Sequence, residues 1–166
     1  DEHVAVLYIE PKEGNEEVLG FDVHSDEARR AALADARDGD EPAATRRLTF
    51  VQDEGRIRGV LLFMPVYETD VAPATIAERR EAVLGYAVAV LHVDELIATA
   101  LSSLPTEGTI SRLWDTSAPE GARLLGAYPP GAGPPGRATT SRRAASLEVV
   151  SLVSMGGRAW ELHVVP

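Results

Sequence analysis

The sequence predicts an α+β fold built from two small strand-rich units, near residues 1–93 and 105–166. Short apolar runs with the period of β-strands recur along the chain, whereas only a few stretches have helical spacing. One helix pattern, at residues 94–104, separates the two strand-rich halves. With 166 residues and 45% hydrophobic content, the chain is long and apolar enough to bury its own core.

The first half contains four strand patterns and two helix patterns. A helix is predicted at residues 26–37 with Ser25 as its N-cap, and a capping box from Thr75 to Glu78 starts a short helix that runs to Ala82. Seven consecutive apolar residues, 60–66, predict a strand buried on both faces, joined to the strand before it by an antiparallel hairpin at residues 53–55. The predicted strands are residues 4–9, 45–52, 59–67 and a buried strand at 85–93.

The second half begins with the predicted helix at residues 94–104, for which Asp94 is the expected N-cap. A strand is predicted at residues 109–115, and the four prolines and three glycines of residues 128–136 predict a loop. Residues 146–154 and 158–165 have strand patterns on either side of Met155-Gly156-Gly157. They are therefore expected to form a hairpin.

The charge balance excludes some classes of partner. A net charge of −10 would repel a phosphate backbone, so we expect no nucleic acid partner. The chain has no cysteine, which excludes disulfides and thiolate metal sites. It begins directly with a strand pattern and has no transmembrane run, which suggests a piece of a longer protein whose membrane anchors lie in flanking segments outside this chain.

Two clusters of titratable residues allow alternative interpretations. His92, Asp94 and Glu95 suit a metal site, but capping of a helix already explains Asp94. Asp22, Asp26 and Glu27, together with His24, suit a carboxylate site or the acid-rich start of a helix. Ser154-Met155-Gly156-Gly157 does not match a nucleophile elbow, and no P-loop or dinucleotide fingerprint is present. The residues favour a binding module over an enzyme, without cofactor or metal.

Several segments together resemble the CHASE family of extracytoplasmic sensory domains. They occur in the family's order and spacing and cover about residues 4–104, whereas residues 105–166 fit by position and strand pattern. The segments are VAVLYIEP (4–11), NEEVLGFDVHSDEARRAALADARDGDEPAAT (15–45), GVLLFMPVY (59–67), AERREAVLGYAVAV (77–90) and VDELIATAL (93–101).

The resemblance implies an N-terminal stalk helix, absent from this chain, followed by two PAS-like subdomains. Residues 1–93 would form the membrane-distal subdomain with the ligand pocket, 94–104 a connecting helix, and 105–166 the membrane-proximal subdomain. It also implies a homodimeric receptor, held in the membrane by helices on both sides of this region. The cytoplasmic output would be a histidine kinase or a nucleotide cyclase, so the function implied is sensing of a small molecule outside the cytoplasm. The alternative is a structural or dimerisation module that binds no ligand and relays signals from a partner protein.

The plant members of the family are cytokinin receptors, and their pocket can be compared with this sequence. Their adenine-binding aspartate falls at Arg29, and a threonine of the central strand falls at Phe63. The face of that strand that carries Phe63 is the expected pocket side. The predicted ligand-binding residues are Arg29, Thr45, Val51, Leu61, Phe63, Pro65, Tyr67 and Tyr86.

The two replacements argue against cytokinin as the ligand. Phe63 would fill space that a purine needs, and Arg29 replaces an acceptor by a permanent donor. If Arg29 points inward, the comparison predicts an anionic or carboxylate-bearing small molecule. If Arg29 points outward, the pocket is apolar and smaller.

Overall fold

The computed structural model describes residues 2–49, 58–68, 73–132 and 148–166. The chain divides into two compact units: residues 1–45 with 62–89, and residues 46–61 with 90–166. The fold class is α+β, as predicted, with antiparallel sheets and flanking helices. The assignment of distal and proximal subdomains, with boundaries at residues 93 and 105, stays a prediction, and residues 46–61 group with the second unit.

Helix α1 spans Glu27–Gly39 and begins one residue later than predicted. Its N-cap is Asp26, whose carboxylate accepts hydrogen bonds from the amides of Ala28 and Arg29 at 2.9 and 3.1 Å. Ser25, the predicted cap, instead donates its hydroxyl to the carbonyl of Asp22 at 2.6 Å. An ionised carboxylate is the stronger acceptor at the positive end of a helix, which explains why Asp26 is the cap.

Helix α2 spans Ile76–Ala82 and confirms the predicted capping box. The hydroxyl of Thr75 accepts from the Glu78 amide at 3.3 Å, and the Glu78 carboxylate accepts from the Thr75 amide at 3.0 Å. Two otherwise unpaired amides at the start of the helix are thereby satisfied.

The first sheet contains β1 (Ala43–Ala44), β2 (Leu48–Thr49), β3 (Arg58–Tyr67) and β4 (Val83–His92). Strands β1 and β2 both pair antiparallel with β3, and β4 also pairs with β3. The antiparallel arrangement around β3 agrees with the predicted hairpin. Of the predicted strand at 45–52, the described residues form only the short β2, and β1 lies just before the predicted start. Residues 50–52 and the predicted turn at 53–55 lie outside the described residues.

Strand β3 is not buried on both faces along its length, contrary to the prediction. Phe63 is 0% exposed and Pro65 is buried, whereas Met64 and Val66 on the opposite face are 43% and 46% exposed. Val88 and Val90 of β4, within the strand predicted to be buried at residues 85–93, are 46% and 52% exposed. An antiparallel sheet can pack one face on helices and leave the other open, so an apolar run overestimates its burial.

Residues 4–9 do not form the predicted strand. Their backbone makes an isolated bridge between Ala5 and Asp22, and Leu7 and Tyr8 are 90% and 78% exposed. The main chain of Val4 and Val6 bonds to the segment around Phe21 instead of extending a sheet. The β-branched composition of the segment was therefore a misleading signal.

The second sheet has the antiparallel order β6-β5-β8-β7. Its strands are β5 (Ile110–Asp115), β6 (Leu124–Tyr128), β7 (Val149–Met155) and β8 (Arg158–Val165). The predicted β7–β8 hairpin is confirmed, because Met155 pairs with Arg158 across Gly156 and Gly157, whose φ angles are 54° and 73°. Strand β6 was not predicted as a strand. Residue 128, taken as the start of a loop, is its last residue, and residues 133–136 lie outside the described residues.

Helix α3 spans Val93–Leu101 and packs against β6. Its N-cap is His92, so the prediction that Asp94 caps the helix was wrong. The Asp94 carboxylate accepts a hydrogen bond from the Ala127 amide at 2.7 Å. A Cβ atom on Gly126 would lie 2.6 Å from that carboxylate, so only glycine allows this close approach.

Candidate functional site

The candidate site lies in the first unit, where Phe63 and Tyr86 meet. Phe63 is fully buried on β3, and its ring stands edge to face against Tyr86 of β4. The ring centroids are 6.3 Å apart, with 78° between the planes. Burial raises the pKa of the Tyr86 phenol above its usual range. The structure thus brings two predicted ligand-binding residues together in an apolar environment.

Tyr67, at the end of β3, holds the C-terminal part of α1. Its hydroxyl donates to the carbonyl of Arg37 at 2.6 Å. Burial, and then the negative charge of Asp40, raises the pKa of the Tyr67 phenol. The Tyr67 hydroxyl therefore fixes α1 relative to β3 and stays protonated at neutral pH.

Arg29 lies on the buried side of α1. With about 3.6 residues per turn, its position falls on the arc between Ala36 and Leu33, both of which are buried. The guanidinium carbon is 5.0 Å from the centroid of the Phe21 ring, a cation–π distance. Its Nε is buried and has no hydrogen-bond partner among the described residues. Arg29 therefore presents a stacked guanidinium with unused hydrogen-bonding capacity.

The other predicted residues are placed as follows. Thr45 is 1% exposed and Pro65 is buried in the first unit. Leu61 is buried but belongs to the segment that groups with the second unit. Val51 lies outside the described residues. Sequence reasoning missed Phe21 as the platform for Arg29, because no helical or strand periodicity links the two positions.

Comparison with known proteins assigns the family. The model of the CHASE domain matches residues 1–125 of this chain. This chain belongs to the CHASE domain family. This match confirms the resemblance inferred from the sequence segments. CHASE domains are extracytoplasmic sensory domains of signalling receptors. Within the described residues of this CHASE domain, no helix has the length and apolar character that crossing a membrane would require.

A curated relative and a solved structure are similar to this CHASE domain. Over 115 residues it is 24% identical to hybrid signal transduction histidine kinase A of Dictyostelium discoideum. That match covers 66% of this chain and only 5% of the relative's length. The ligand-binding domain of the Pseudomonas aeruginosa PAO1 amino acid chemoreceptor PctC, in complex with GABA, is 19% identical with a TM-score of 0.43. The structural match covers 88% of this chain and 62% of that one.

Two arginines of α2, Arg79 and Arg80, connect this helix to the end of α1. Arg80 Nε donates to the Asp38 carboxylate at 3.0 Å, and Arg79 donates to the Asp38 carbonyl at 2.6 Å. Arg37 Nε also donates to the Asp38 carboxylate, at 2.9 Å. The hydrogen bond from Arg80, with a smaller effect of Arg37, lowers the pKa of Asp38 to about 2.

The two clusters of titratable residues, around His92 and around His24, form local hydrogen bonds and ion pairs. Asp94 bonds to the Ala127 amide, and His92 Nδ1 is 3.5 Å from Glu95 Oε2. Asp22 accepts from the His3 ring and from the Val4 amide, and the hydrogen bond with His3 is the main cause that lowers its pKa. Among the described residues, no group of three or more metal-binding side chains is placed to hold an ion.

Proposed function

We propose that this CHASE domain is the small-molecule sensing domain of a membrane-bound receptor whose output is a histidine kinase or a nucleotide cyclase. The family supports the sensory role, and the curated relative, a hybrid histidine kinase, supports the kinase output. The membrane helices and the output would lie in flanking segments. Two apolar stretches of about 20 residues bracketing this region, with a kinase or cyclase after the second, would support the receptor, and their absence from the gene would contradict it.

The ligand we propose is a small anionic molecule, with a carboxylate as the group recognised. The observation that carries this proposal is the unpaired, buried Nε of Arg29 above Phe21. A buried donor without a partner is costly, and a carboxylate would satisfy it with two parallel hydrogen bonds from the guanidinium fork. Stacking on Phe21 orients the guanidinium in advance, which reduces the entropy lost on binding.

We do not expect an adenine-type cytokinin to bind. Phe63 is completely buried and its ring contacts Tyr86, so the position of the family's central-strand threonine is filled by packed aromatic carbon. Arg29 cannot accept a hydrogen bond from an adenine ring. Each unpaired polar group buried with such a ligand would cost about 1–3 kcal/mol.

The face of β3 opposite Phe63 supports the alternative of a dimerisation module. Met64 and Val66 on that face are apolar residues that are 43% and 46% exposed. Exposed apolar side chains of this kind favour a protein partner, and a homodimer in the full-length receptor would cover them. A module of this kind would associate at high concentration and would respond to no small molecule.

A thermal-shift experiment separates the two functions. Wild-type protein, Arg29→Gln and Arg30→Gln would each be heated with small carboxylic acids, their uncharged amides and adenine-type purines. Arg30 is the matched control, because it is exposed and donates to the carbonyl of His24 at 3.1 Å. We expect at least one acid, but not its amide, to stabilise wild type and Arg30→Gln and to leave Arg29→Gln unchanged. A ligand at 100 times its Kd contributes about 2.7 kcal/mol.

Two outcomes would contradict the ligand proposal. One is the absence of stabilisation by any acid, together with concentration-dependent association that Met64→Ser abolishes, which would favour the dimerisation module. The other is an equal loss of stabilisation in the Arg29 and Arg30 variants, which would show nonspecific attraction to positive charge.

A further inference from the structure

His163, on β8 of the second unit, has a carboxylate at each of its ring nitrogens. Nδ1 is 2.7 Å from Oε1 of Glu148, and Nε2 is 3.0 Å from Oε2 of Glu161. A neutral imidazole carries one N–H donor, and an ionised carboxylate only accepts. Both hydrogen bonds can form together only when His163 carries two protons, so the observed geometry fits the imidazolium.

The strands on either side of β8 provide the other residues around the His163 ring. Arg112 of β5 and Val150 of β7 are the cross-strand neighbours of His163. The Trp114 ring lies edge to face with the imidazole, with centroids 6.2 Å apart. The two glutamates favour the charged imidazole, Arg112 opposes it, and Val150 contributes no charge. Beyond Arg112, β6 presents the uncharged Ala127.

We propose that His163, Glu148 and Glu161 form a proton-binding site through which the second unit responds to a change in pH. Glu148 immediately precedes β7, whereas Glu161 and His163 both lie in β8. The bound proton therefore ties the start of an edge strand to its neighbour. The proposal does not depend on the ligand proposed for Arg29.

The direction of the response follows from the same contacts. Burial disfavours the charged imidazole, but the hydrogen bonds to Glu148 and Glu161 outweigh it, so the pKa of His163 is raised above its usual value. Because the pKa is raised in the folded state, the stabilisation from the His163 hydrogen bonds to Glu148 and Glu161 is fully present below about pH 6.5, the ordinary histidine value. It is lost as the pH rises through the higher pKa of the folded protein, which releases the start of β7 toward neutral and alkaline pH.

The other histidines of the described residues are internal comparators. His3 has one carboxylate partner, Asp22, at 2.8 Å, and His92 has Glu95 at 3.5 Å. His24 has Glu2 at 3.9 Å. His163 is the one among these four with close carboxylates on both sides of the ring.

An NMR titration of the histidine ring protons tests whether the site binds a proton. We expect His163 to titrate above the ordinary histidine value of about 6.5. Glu148→Gln and Glu161→Gln should each lower the His163 pKa, and the double variant should bring it to about 6.5 or below. Glu95→Gln, which removes a carboxylate beside a different histidine, is the matched control and should leave the His163 pKa unchanged. The proposal is overturned if His163 titrates at or below about 6.5, or if the double variant leaves its pKa unchanged.

Hydrogen exchange tests whether the proton alters β7. After correction for the intrinsic pH dependence, protection of the β7 amides in the wild type should fall as the pH rises through the His163 pKa. In His163→Gln, the protection should be lower and independent of pH over the same range. Equal, pH-independent protection in both proteins would show that His163 holds a proton without affecting the strand, and would overturn the sensing role.

Discussion

At Arg29, the sequence comparison gives the type of residue in the expected pocket but not the direction of its side chain. The family comparison predicts that arginine stands where plant members carry a carboxylate, but not which way it points. The structure places it on the buried side of α1, with its guanidinium over Phe21. That orientation depends on the segment before the helix folding back on itself through bonds such as Val6 N to Phe21 O. Side-chain orientation set by such non-local contacts is absent from local sequence patterns.

Asp38 gives a pH prediction for the first unit. Its pKa of about 2 in the folded protein is below the unfolded value of about 3.9. A lowered pKa means that this carboxylate stabilises the fold above about pH 4, and that the stabilisation is lost as the pH falls toward 2.

We therefore expect Asp38→Asn to lower the free energy of unfolding near neutral pH and to match wild type near pH 2. The effect should be modest, since the Arg80 side chain is 57% exposed and solvent screens the pair. Chemical denaturation at a series of pH values measures it, with Asp35→Asn, an exposed carboxylate of the same helix, as the control. A constant difference between Asp38→Asn and wild type across that range would show that the linkage is wrong.

The elements best predicted from sequence are those specified by local chemistry. The Thr75 capping box and the glycine turn between β7 and β8 each contain, within a few residues, the groups that determine their geometry. Strand β6 has no such local signal. It is held by β5 on one edge and by the carboxylate of Asp94, 33 positions earlier in the chain than Ala127. The segment 4–9 has a local strand pattern without a sheet to join, which is why its prediction was wrong.

The contact between α3 and β6 can be tested with one methyl group. In Gly126→Ala, the new Cβ would lie 2.6 Å from Asp94 Oδ1 and 2.8 Å from Val93 Cγ1. We expect a loss of about 1–3 kcal/mol in the free energy of unfolding, because packed atoms must shift and the Asp94 bond to Ala127 is disturbed.

Gly85→Ala is the matched control, since Gly85 also lies in a strand and its added Cβ meets nothing within 4 Å. Urea unfolding of both variants measures the difference. Equal stability of the two would show that α3 and β6 separate easily, and that the close approach at Gly126 does not contribute to stability.

At the scale of the whole molecule, the sequence predicts two units but not the path of the chain between them. A division read along the chain is contiguous, whereas the observed first unit combines residues 1–45 with 62–89. Residues 46–61 group with the second unit although they precede half of the first. Arg47 in this segment donates a hydrogen bond to the carbonyl of Leu124, 77 positions later in the chain, and local composition does not encode such a contact. Family membership, by contrast, was readable because several segments agree in order and spacing.

The proposed proton site and the proposed ligand site lie in different units of this CHASE domain and respond to different signals. His163 is in the second unit and responds to pH, whereas Arg29 is in the first and would respond to an acid. If both proposals hold, variants at Glu148 and Glu161 should leave acid binding unchanged at a pH where His163 is protonated. Loss of acid binding in those variants would indicate that the two sites are not independent.

A calorimetric titration tests most directly whether this CHASE domain senses an acid and not a cytokinin. Purified wild type would be titrated with the acid that stabilises it and, separately, with an adenine-type cytokinin, alongside Arg29→Gln and Arg30→Gln. We predict saturable binding of the acid by wild type and Arg30→Gln, at least a tenfold loss in Arg29→Gln, equal to about 1.4 kcal/mol, and no heat from the cytokinin. Micromolar binding of the cytokinin, or acid binding that Arg29→Gln leaves intact, would contradict the proposed sensor.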